Sequence, residues 1–201
     1  MSGLNFPVTY SDFTIKWASL PWEIEQALVL RQQVFCQEQG LFVGSDRDVI
    51  DDQAQCLVAI ANQGGWPDKV VGTVRIHQYS IGVWWGSRLA VAPDFRSRSG
   101  IGAGLIRLAV CSAHGLGCTQ FFAQVQQQNE KLFQRLNWQS RYPLQVRSRP
   151  HVMMEADLRR YPAFHAPYSG FVLKGQLASM PDEIAPCLLH PHQEIDRHVA
   201  H

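Results

Sequence analysis

Apolar and polar residues follow two different periods along the chain, and these periods predict where strands and helices lie. Phe13, Ile15 and Trp17 alternate with polar residues, which is typical of a strand with one buried face. Over residues 22–39 the apolar residues recur at helical spacing. That helix is predicted to end at Gly40, because glycine adopts the left-handed cap conformation most easily.

The rest of the pattern predicts a mixed sheet with helices on its faces. After an acidic loop at 44–53, runs rich in Val, Ile, Trp and Thr at 56–61, 70–79 and 83–91 predict three strands. The turns between them are short and contain glycine, which favours antiparallel hairpins. The remaining predicted elements are a helix from Ile101 to about Gly115, a strand at 121–125, a short helix capped by Asn129 and a strand at 152–158.

The composition changes after Arg160. Residues 161–201 hold five of the eleven prolines and five of the eight histidines. We therefore predict a folded domain over residues 1–160 and a C-terminal extension over 161–201 with little regular structure. The extension either trails from the core or packs on it through Tyr168, Phe171, Val172 and Leu173.

Composition and charge exclude several classes of protein. With 201 residues, of which 46% are hydrophobic and 17% charged, the chain can bury a core and is not a disordered polymer. It has no apolar run near the roughly 20 residues that cross a bilayer and no basic-then-apolar leader pattern. We therefore expect a cytoplasmic protein, monomeric or homodimeric, without a membrane partner. A formal net charge of +1 without a basic stripe or a reader motif argues against nucleic-acid binding.

Metal and disulfide sites are not expected. The cysteines form an odd set without a Cys-x-x-Cys pair, which argues against a disulfide scaffold and a cysteine zinc site. They are Cys36, Cys56, Cys111, Cys118 and Cys187. Histidines near the C-terminus match no closed zinc spacing, so we assign no metal. These are His190, His192, His198 and His201.

The most informative stretch covers residues 89–105, where a predicted strand passes through a basic loop into glycines that open a helix. Its basic and small residues are Arg96, Arg98, Gly100, Gly102 and Gly104. Unpaired amides and the positive end of the helix dipole make such a helix start an anion site, most often for phosphate. The glycines leave the backbone accessible, and the arginines can add charged hydrogen bonds. The alternative is that the glycines only permit tight packing of a helix on a sheet.

This loop resembles the pyrophosphate loop of the GNAT superfamily of acyl-CoA-dependent N-acyltransferases, which reads Gln/Arg-x-x-Gly-x-Gly/Ala and follows the fourth strand. Gly100-Ile101-Gly102 supplies the glycine part, while the position three before Gly100 is Ser97, flanked by two arginines. The loop therefore looks slipped or one residue longer. Segments 31–40 and 129–138 are similar to two other segments of the superfamily, so the resemblance covers roughly residues 13–158.

The resemblance implies an α/β (α+β) fold with a mixed, mostly antiparallel sheet, flanked by helices and splayed between strands 4 and 5. It also implies acetyl-CoA or another acyl-CoA as co-substrate, with the pantetheine amides bonded to the fourth strand. The implied cofactor-binding residues are Leu89, Ala90, Val91, Arg96, Ser97, Arg98, Ser99, Gly100, Ile101, Gly102, Ala103, Gly104, Asn129 and Phe133. Phe133 stands where the superfamily often has a tyrosine that protonates the thiolate. Tyr142, a water or the thiolate's own stability would have to serve instead.

A primary amine must lose a proton before it attacks a thioester, so a base is needed. Glu38, Asp51 and Asp52 lie where the superfamily places acceptor-side residues, and their charge suits a cationic amine. The alternative is a solvated acidic surface. His77 lies on the third predicted strand and is either a base or a structural histidine. The candidate catalytic residues are Glu38, Asp51 and His77.

Two other residues are singled out by their position. Arg31 shares the buried face of the first predicted helix and needs an anionic partner, for which Asp48 and Asp51 are the simplest candidates. His151 precedes the last predicted strand, and it either borders the acceptor pocket or fixes the strand.

These features predict an N-acyltransferase that moves an acetyl or other small acyl group from acyl-CoA to a small amine by direct attack. Two alternatives stay open. Acyl-homoserine-lactone synthases share the fold and also carry an Arg-x-x-Val-Phe segment, here Arg31 to Phe35. A sensor that binds acyl-CoA without turnover is the third hypothesis, because Phe133 has no proton to donate.

Overall fold

One sheet organises the molecule over residues 9–96 and 100–175, which are the residues that the computed structural model describes. Its strands are β1 (Asp12–Trp17), β2 (Gln55–Gln63), β3 (Trp66–Ser80), β4 (Val83–Val91), β5 (Gln120–Gln126), β6 (Trp138–Val146), β7 (Arg149–Ala156) and β8 (Phe171–Lys174). The helices are α1 (Pro21–Arg31), which continues as a π-helix (Gln32–Glu38), α2 (Ile101–Gly115) and α3 (Glu130–Arg135). Neither described stretch contains a helix of the length and apolarity that a bilayer crossing requires.

The strand order is β6-β7-β5-β4-β3-β2-β1-β8. Neighbouring strands are antiparallel except for β4 and β5, which run parallel. A parallel pair needs a long crossover, and α2 supplies it. The mixed, mostly antiparallel sheet predicted from the sequence is therefore confirmed.

Each face of the sheet is covered by a different helix, because alternate residues of a strand point to opposite faces. Ile15, Leu57 and Phe121 belong to the apolar core beneath α2, which we call the α2 face. Val58 and Ile60 belong to a second core beneath α1 and the π-helix, which we call the α1 face.

The sheet opens between β4 and β5. Val83 to Gly86 pair with Gln120 to Ala123, and beyond Gly86 the two strands no longer pair. Just past this point β4 bulges against β3, where the register jumps and Arg88 adopts a φ of +57°. Residues 87–91 of β4 therefore pair with β3 on one side only, and among the described residues no strand pairs with their other edge. This opening positions the candidate site.

Three elements differ from the sequence prediction. The predicted helix at 22–39 is an α-helix followed by a π-helix, in which the Gln39 amide donates to the Val34 carbonyl oxygen at 3.0 Å. β6 was not predicted, because it is exposed along most of its length and contains Pro143. β8 was not predicted either, and it adds residues beyond Arg160 to the sheet by pairing with β1.

Part of the segment beyond Arg160 packs on the domain. Tyr161 is buried, and its hydroxyl accepts a hydrogen bond from Trp138 Nε1 at 3.1 Å. Gly170 has a φ of +63°, and a Cβ there would collide with the carbonyl oxygen of Ile15, so only glycine lets the chain enter β8. Residues 176–201 lie outside the described residues.

Candidate active site

A cavity of about 510 Å³ lies where β4 and β5 separate, and it crosses the sheet. On the α1 face its wall is mostly polar or charged; we call this part the polar branch. It includes Gln39, Asp48, Arg75, His77, Ser87, Arg88, Gln126, Arg147 and His151. On the α2 face the wall is made of core side chains, and we call this part the apolar branch. It includes Val74, Ile106, Ala109, Phe121, Ala123, Val125, Phe133 and Trp138.

Beside the polar branch, three arginines and three aspartates form a closed ring of ion pairs, which we call the ion ring. Each arginine contacts two aspartates, and each aspartate contacts two arginines, at 2.6 to 3.0 Å. In order around the ring the residues are Arg31, Asp51, Arg75, Asp48, Arg88 and Asp46. The arginines come from the end of α1, from β3 and from the β4 bulge, whereas the aspartates share one loop. The ring therefore fixes that loop to the sheet.

The sequence anticipated part of the ion ring. Arg31 donates two hydrogen bonds to Asp51, at 2.6 and 3.0 Å. Asp51 is one of its two expected partners. Its second partner is Asp46, at 2.8 Å from Arg31 Nε. Arg31 and Asp46 are 3% and 2% exposed, so each charge depends on the other for compensation.

Two carboxylates of the ion ring, those of Asp48 and Asp51, are held in the charged form. Burial tends to raise the pKa of Asp51, but hydrogen bonds from Arg31, the Asp48 amide and Arg75 outweigh it and lower that pKa well below its usual range. The hydrogen bonds from Arg75 likewise lower the pKa of Asp48. Because the ring holds equal numbers of both charges, it offers no net negative charge to a cationic amine.

His77 lies on the wall of the polar branch and is 9% exposed. Burial lowers the pKa of its imidazole, and the charge of Arg75 adds to that effect. The imidazole of His77 is therefore neutral near pH 7. Its Nδ1 is buried and has no hydrogen-bond partner among the described residues. Trp85 lies directly across from His77 on β4, and its Nε1 is also buried without a partner in the same described set.

Glu38 and Asp52 lie elsewhere. Glu38 forms an ion pair with Arg96, at 2.6 Å, and both side chains are partly exposed. The hydrogen bond from Arg96 lowers the pKa of Glu38. Arg96 also donates to the Val91 carbonyl oxygen at 2.9 Å, so this pair joins the π-helix to the end of β4. Asp52 is exposed at the end of a short helical turn.

The predicted phosphate loop is described only in part, because Ser97, Arg98 and Ser99 lie outside the described residues. Gly100 has a φ of +64° and precedes α2, and no described side chain caps the first amides of the helix, at Ile101, Gly102 and Ala103. Among the described residues, the atom nearest to a Cβ added on Gly102 would be Val91 Cγ2, at 3.9 Å. These amides are therefore available to hydrogen-bond an anionic group.

Gly104 has a different role from the one expected. Its amide donates to the Gly100 carbonyl oxygen at 2.8 Å, inside the helix. A Cβ at this position would lie 3.0 Å from Leu173 Cδ1 and 3.5 Å from Ile15 Cγ1. Gly104 therefore permits close packing of α2 on β1 and β8. For this glycine, the alternative raised by the sequence, that glycines permit a helix to pack tightly on a sheet, applies.

The remaining predicted residues surround the opening. Leu89, Asn129 and Phe133 line the cavity, while Ala90 and Val91 continue the open edge of β4. Phe133 is buried and packs edge-on against Trp138, with ring centroids 5.1 Å apart. Among the tyrosines, Tyr79 and not Tyr142 is part of the cavity wall.

Sequence reasoning missed the aromatic contact that closes the polar branch. Phe42 lies between the guanidinium groups of Arg88 and Arg147, at 4.5 and 4.1 Å from its ring centroid. Arg147 and Ser148 form the β6–β7 turn, both with positive φ. No local sequence pattern predicts this contact, because it joins three segments that are distant in the chain.

Metal ligands do not gather anywhere in the part of the chain that the structure describes, where no three His, Cys, Asp or Glu side chains are placed to hold an ion. His190, His192, His198, His201 and Cys187 lie outside that part. His151 lines the cavity, and its Nδ1 lies 2.9 Å from the Arg149 carbonyl oxygen.

Comparison with known proteins bears on this geometry. Residues 52–140 match the family model of the acetyltransferase (GNAT) domain. Among solved structures, an N-acetyltransferase-type protein of Lactobacillus plantarum is 23% identical, with a TM-score of 0.64 over 72% of this chain and 97% of its own. Escherichia coli ElaA is 17% identical, with a TM-score of 0.61 over 73% of this chain and 99% of its own.

A third solved structure is the CoA-dependent acyl-homoserine lactone synthase BjaI, with SAM and isopentyl-CoA. It is 20% identical, with a TM-score of 0.60 over 74% of this chain and 84% of its own. At these identities the structural likeness shows a shared fold. No curated protein matches the sequence.

Proposed function

We propose that this chain is an acyl-CoA-dependent N-acyltransferase of the GNAT superfamily, because residues 52–140 match the family model of the acetyltransferase (GNAT) domain. It transfers an acyl group from coenzyme A to the amino group of a small molecule in the cavity between β4 and β5. The observation that carries the proposal is one continuous site. Leu89 on the β4 edge lines the cavity, and Val91, two residues further along the same edge, lies next to Gly102 at the uncapped start of α2.

The acyl-CoA would be held mainly by backbone groups. The amides of Ile101, Gly102 and Ala103 face the place of the pyrophosphate, where the helix dipole favours an anion. The open edge of β4 offers peptide groups to the amides of the pantetheine arm, as a neighbouring strand would. Asn129 lines the same opening from the end of β5.

His77 is the residue best placed to take the proton from the amine. It lines the polar branch, it is neutral because its pKa is lowered, and its Nδ1 has no partner among the described residues. We assign no base role to Asp51, because it is bound to two arginines, nor to Glu38, which is bound to Arg96.

The departing thiolate needs little help in this proposal. Phe133 cannot donate a proton, but a thiol has an ordinary pKa of about 8.5, so its anion is a stable leaving group near neutral pH. Backbone N–H groups of the splayed β4 edge could stabilise the developing oxyanion.

Direct transfer, without a covalent enzyme intermediate, is supported by the lining. No cysteine is found among the described lining residues, and burial raises the pKa of the thiols of Cys56, Cys111 and Cys118. Ser87 lines the cavity, but its hydroxyl accepts a hydrogen bond from Arg75 Nε at 2.9 Å, and the described hydrogen bonds do not join it to a base.

A second candidate function is lactone synthesis from an S-adenosyl amine. Two observations favour it: the Arg31-x-x-Val-Phe35 segment lies in the π-helix region beside the site, and the fold is similar to that of BjaI. The two candidate functions differ in the amine that accepts the acyl group, so the identity of that amine distinguishes them.

The test is release of free thiol from acyl-CoA across a panel of amines that includes S-adenosylmethionine. The proposal predicts thiol release that depends on one class of amine, with an N-acyl product by mass spectrometry. Turnover with the S-adenosyl amine alone would favour lactone synthesis. Binding of coenzyme A without turnover for any amine would contradict the enzyme proposal and leave the sensor hypothesis.

A further inference from the structure

Eight core side chains line the apolar branch. They come from β3, α2, β5, α3 and β6 and belong to the core beneath α2. An acetyl group has a single methyl carbon to bury. Cavities of this kind in protein interiors are few, because close packing normally fills them.

Small residues keep the passage between the two branches open. Gly86 and Ala123 form the last pair of β4 with β5, and Ala109 lies on α2 beneath them in the same wall. A Cβ on Gly86 would lie 3.0 Å from Phe121 Cε1, which would crowd the passage where the strands separate. A side chain larger than alanine at any of these positions would narrow the route to the apolar branch.

The apolar branch also lacks groups that would bind a polar substituent. Its one side-chain polar atom among the described lining residues is Trp138 Nε1, which already donates to the Tyr161 hydroxyl at 3.1 Å. Phe121 and Phe133 pack edge-on against Trp138, with centroid distances of 5.7 and 5.1 Å, so the three rings form one aromatic part of this wall. The wall therefore suits an unsubstituted hydrocarbon.

We propose that the apolar branch, lined by Ile106, Ala109, Phe121, Phe133 and Trp138, is an acyl-chain subsite and that the donor is a medium-chain fatty acyl-CoA. This inference rests on the proposed function, because it places the thioester at the passage between the branches. The chain enters the apolar branch beneath the sheet, while the amine approaches from the polar branch above it. Ala109 then sets the chain length.

Binding of three ligands to the wild-type protein tests the subsite directly. Isothermal titration compares coenzyme A, acetyl-CoA and hexanoyl-CoA. Each additional buried methylene contributes about fourfold to affinity, so hexanoyl-CoA should bind at least tenfold more tightly than acetyl-CoA. Equal affinity for the two thioesters would overturn the inference and leave the proposed function standing. Failure to bind any of the three ligands would overturn both.

A matched pair of variants locates the effect. Ala109→Leu fills the apolar branch, whereas Ala113→Leu adds the same side chain to the same buried face of α2 away from the cavity wall. We expect Ala109→Leu to remove the preference for hexanoyl-CoA and Ala113→Leu to retain it. If Ala109→Leu does not fold, Ala109→Val tests the smaller increment. A preference that survives in the folded Ala109 variant would overturn the assignment of the subsite.

Discussion

On the α1 face of the opening, six charged side chains are fixed in a closed ring, whereas on the α2 face the same cavity meets core side chains. The two faces gain their order differently. The ion ring is specific because a buried charge without a partner is costly, while the apolar branch is specified by volume and shape. A substitution should therefore act abruptly on the first face and in graded fashion on the second.

His77→Gln should have the largest effect on catalysis. Removing a general base typically costs about 10²–10⁴-fold in rate, and glutamine keeps polarity without accepting a proton in this range. Acyl transfer with a responsive amine measures kcat/KM, and His165→Gln, on an exposed residue, is the control.

The pH profile gives this prediction a sign. The pKa of His77 is lowered, so its imidazole takes up a proton only when the pH falls below the ordinary histidine value of about 6.5. Protonation of His77 should therefore lower the wild-type kcat/KM below that pH and should not affect it above that pH. An acid limb in the wild type at or above that value, or one that persists unchanged in the variant, would assign the base to another group.

Arg31→Met should destabilise the protein strongly. It leaves Asp46 and Asp51 buried with one cation fewer, and breaking a buried pair in this way typically costs about 3–5 kcal/mol. Chemical denaturation measures the free energy of unfolding. Arg159→Met removes an ion pair whose arginine side chain is 84% exposed, and it should leave the free energy of unfolding almost unchanged. Equal losses in the two variants would mean that the ring is no more than a surface network.

Gly102→Leu should weaken binding of coenzyme A at least tenfold with little change in stability, because an added Cβ meets no described atom closer than Val91 Cγ2, at 3.9 Å. Gly104→Leu should do the reverse. It overpacks the contact with Leu173 and Ile15 and should lower stability by about 1–3 kcal/mol. Titration calorimetry and thermal unfolding separate the two effects. If Gly102→Leu leaves the dissociation constant for coenzyme A unchanged, the pyrophosphate does not bind at this loop.

Arg147→Met should have the smallest effect. It removes one of the two guanidinium groups on Phe42, an interaction worth about 0.5–1 kcal/mol at an exposed site. The free energy of unfolding should drop by about that amount, and Arg135→Met on α3 serves as the control. A larger loss than in Arg31→Met would reverse the ranking of the two contacts.

The predictable parts of the fold are those whose apolar period reflects burial of one face. Ile15 on β1 and Leu105 on α2 are fully buried, and both belong to runs that the sequence pattern identified. β6 has no such period, because it is a mostly exposed strand stabilised by pairing with β7. β8 is only four residues long, and its place depends on Gly170 and on β1.

The candidate site divides in the same way. The need of Arg31 for a carboxylate follows from its place on a buried helix face, and Asp51 does satisfy it. The part played by Arg88 depends on the β4 bulge, and that of Arg147 depends on where the β6–β7 turn meets Phe42. Such contacts arise only when distant segments are packed together, so no local pattern predicts them.

The central claim is that coenzyme A occupies the opening between β4 and β5. Hydrogen–deuterium exchange of the full chain, with and without saturating coenzyme A, tests it most directly. Slower exchange is predicted for the amides at 87–91 and 101–103, with no comparable change in β1 or β8. Unchanged exchange in those two stretches, or protection confined to another part of the sheet, would contradict the account.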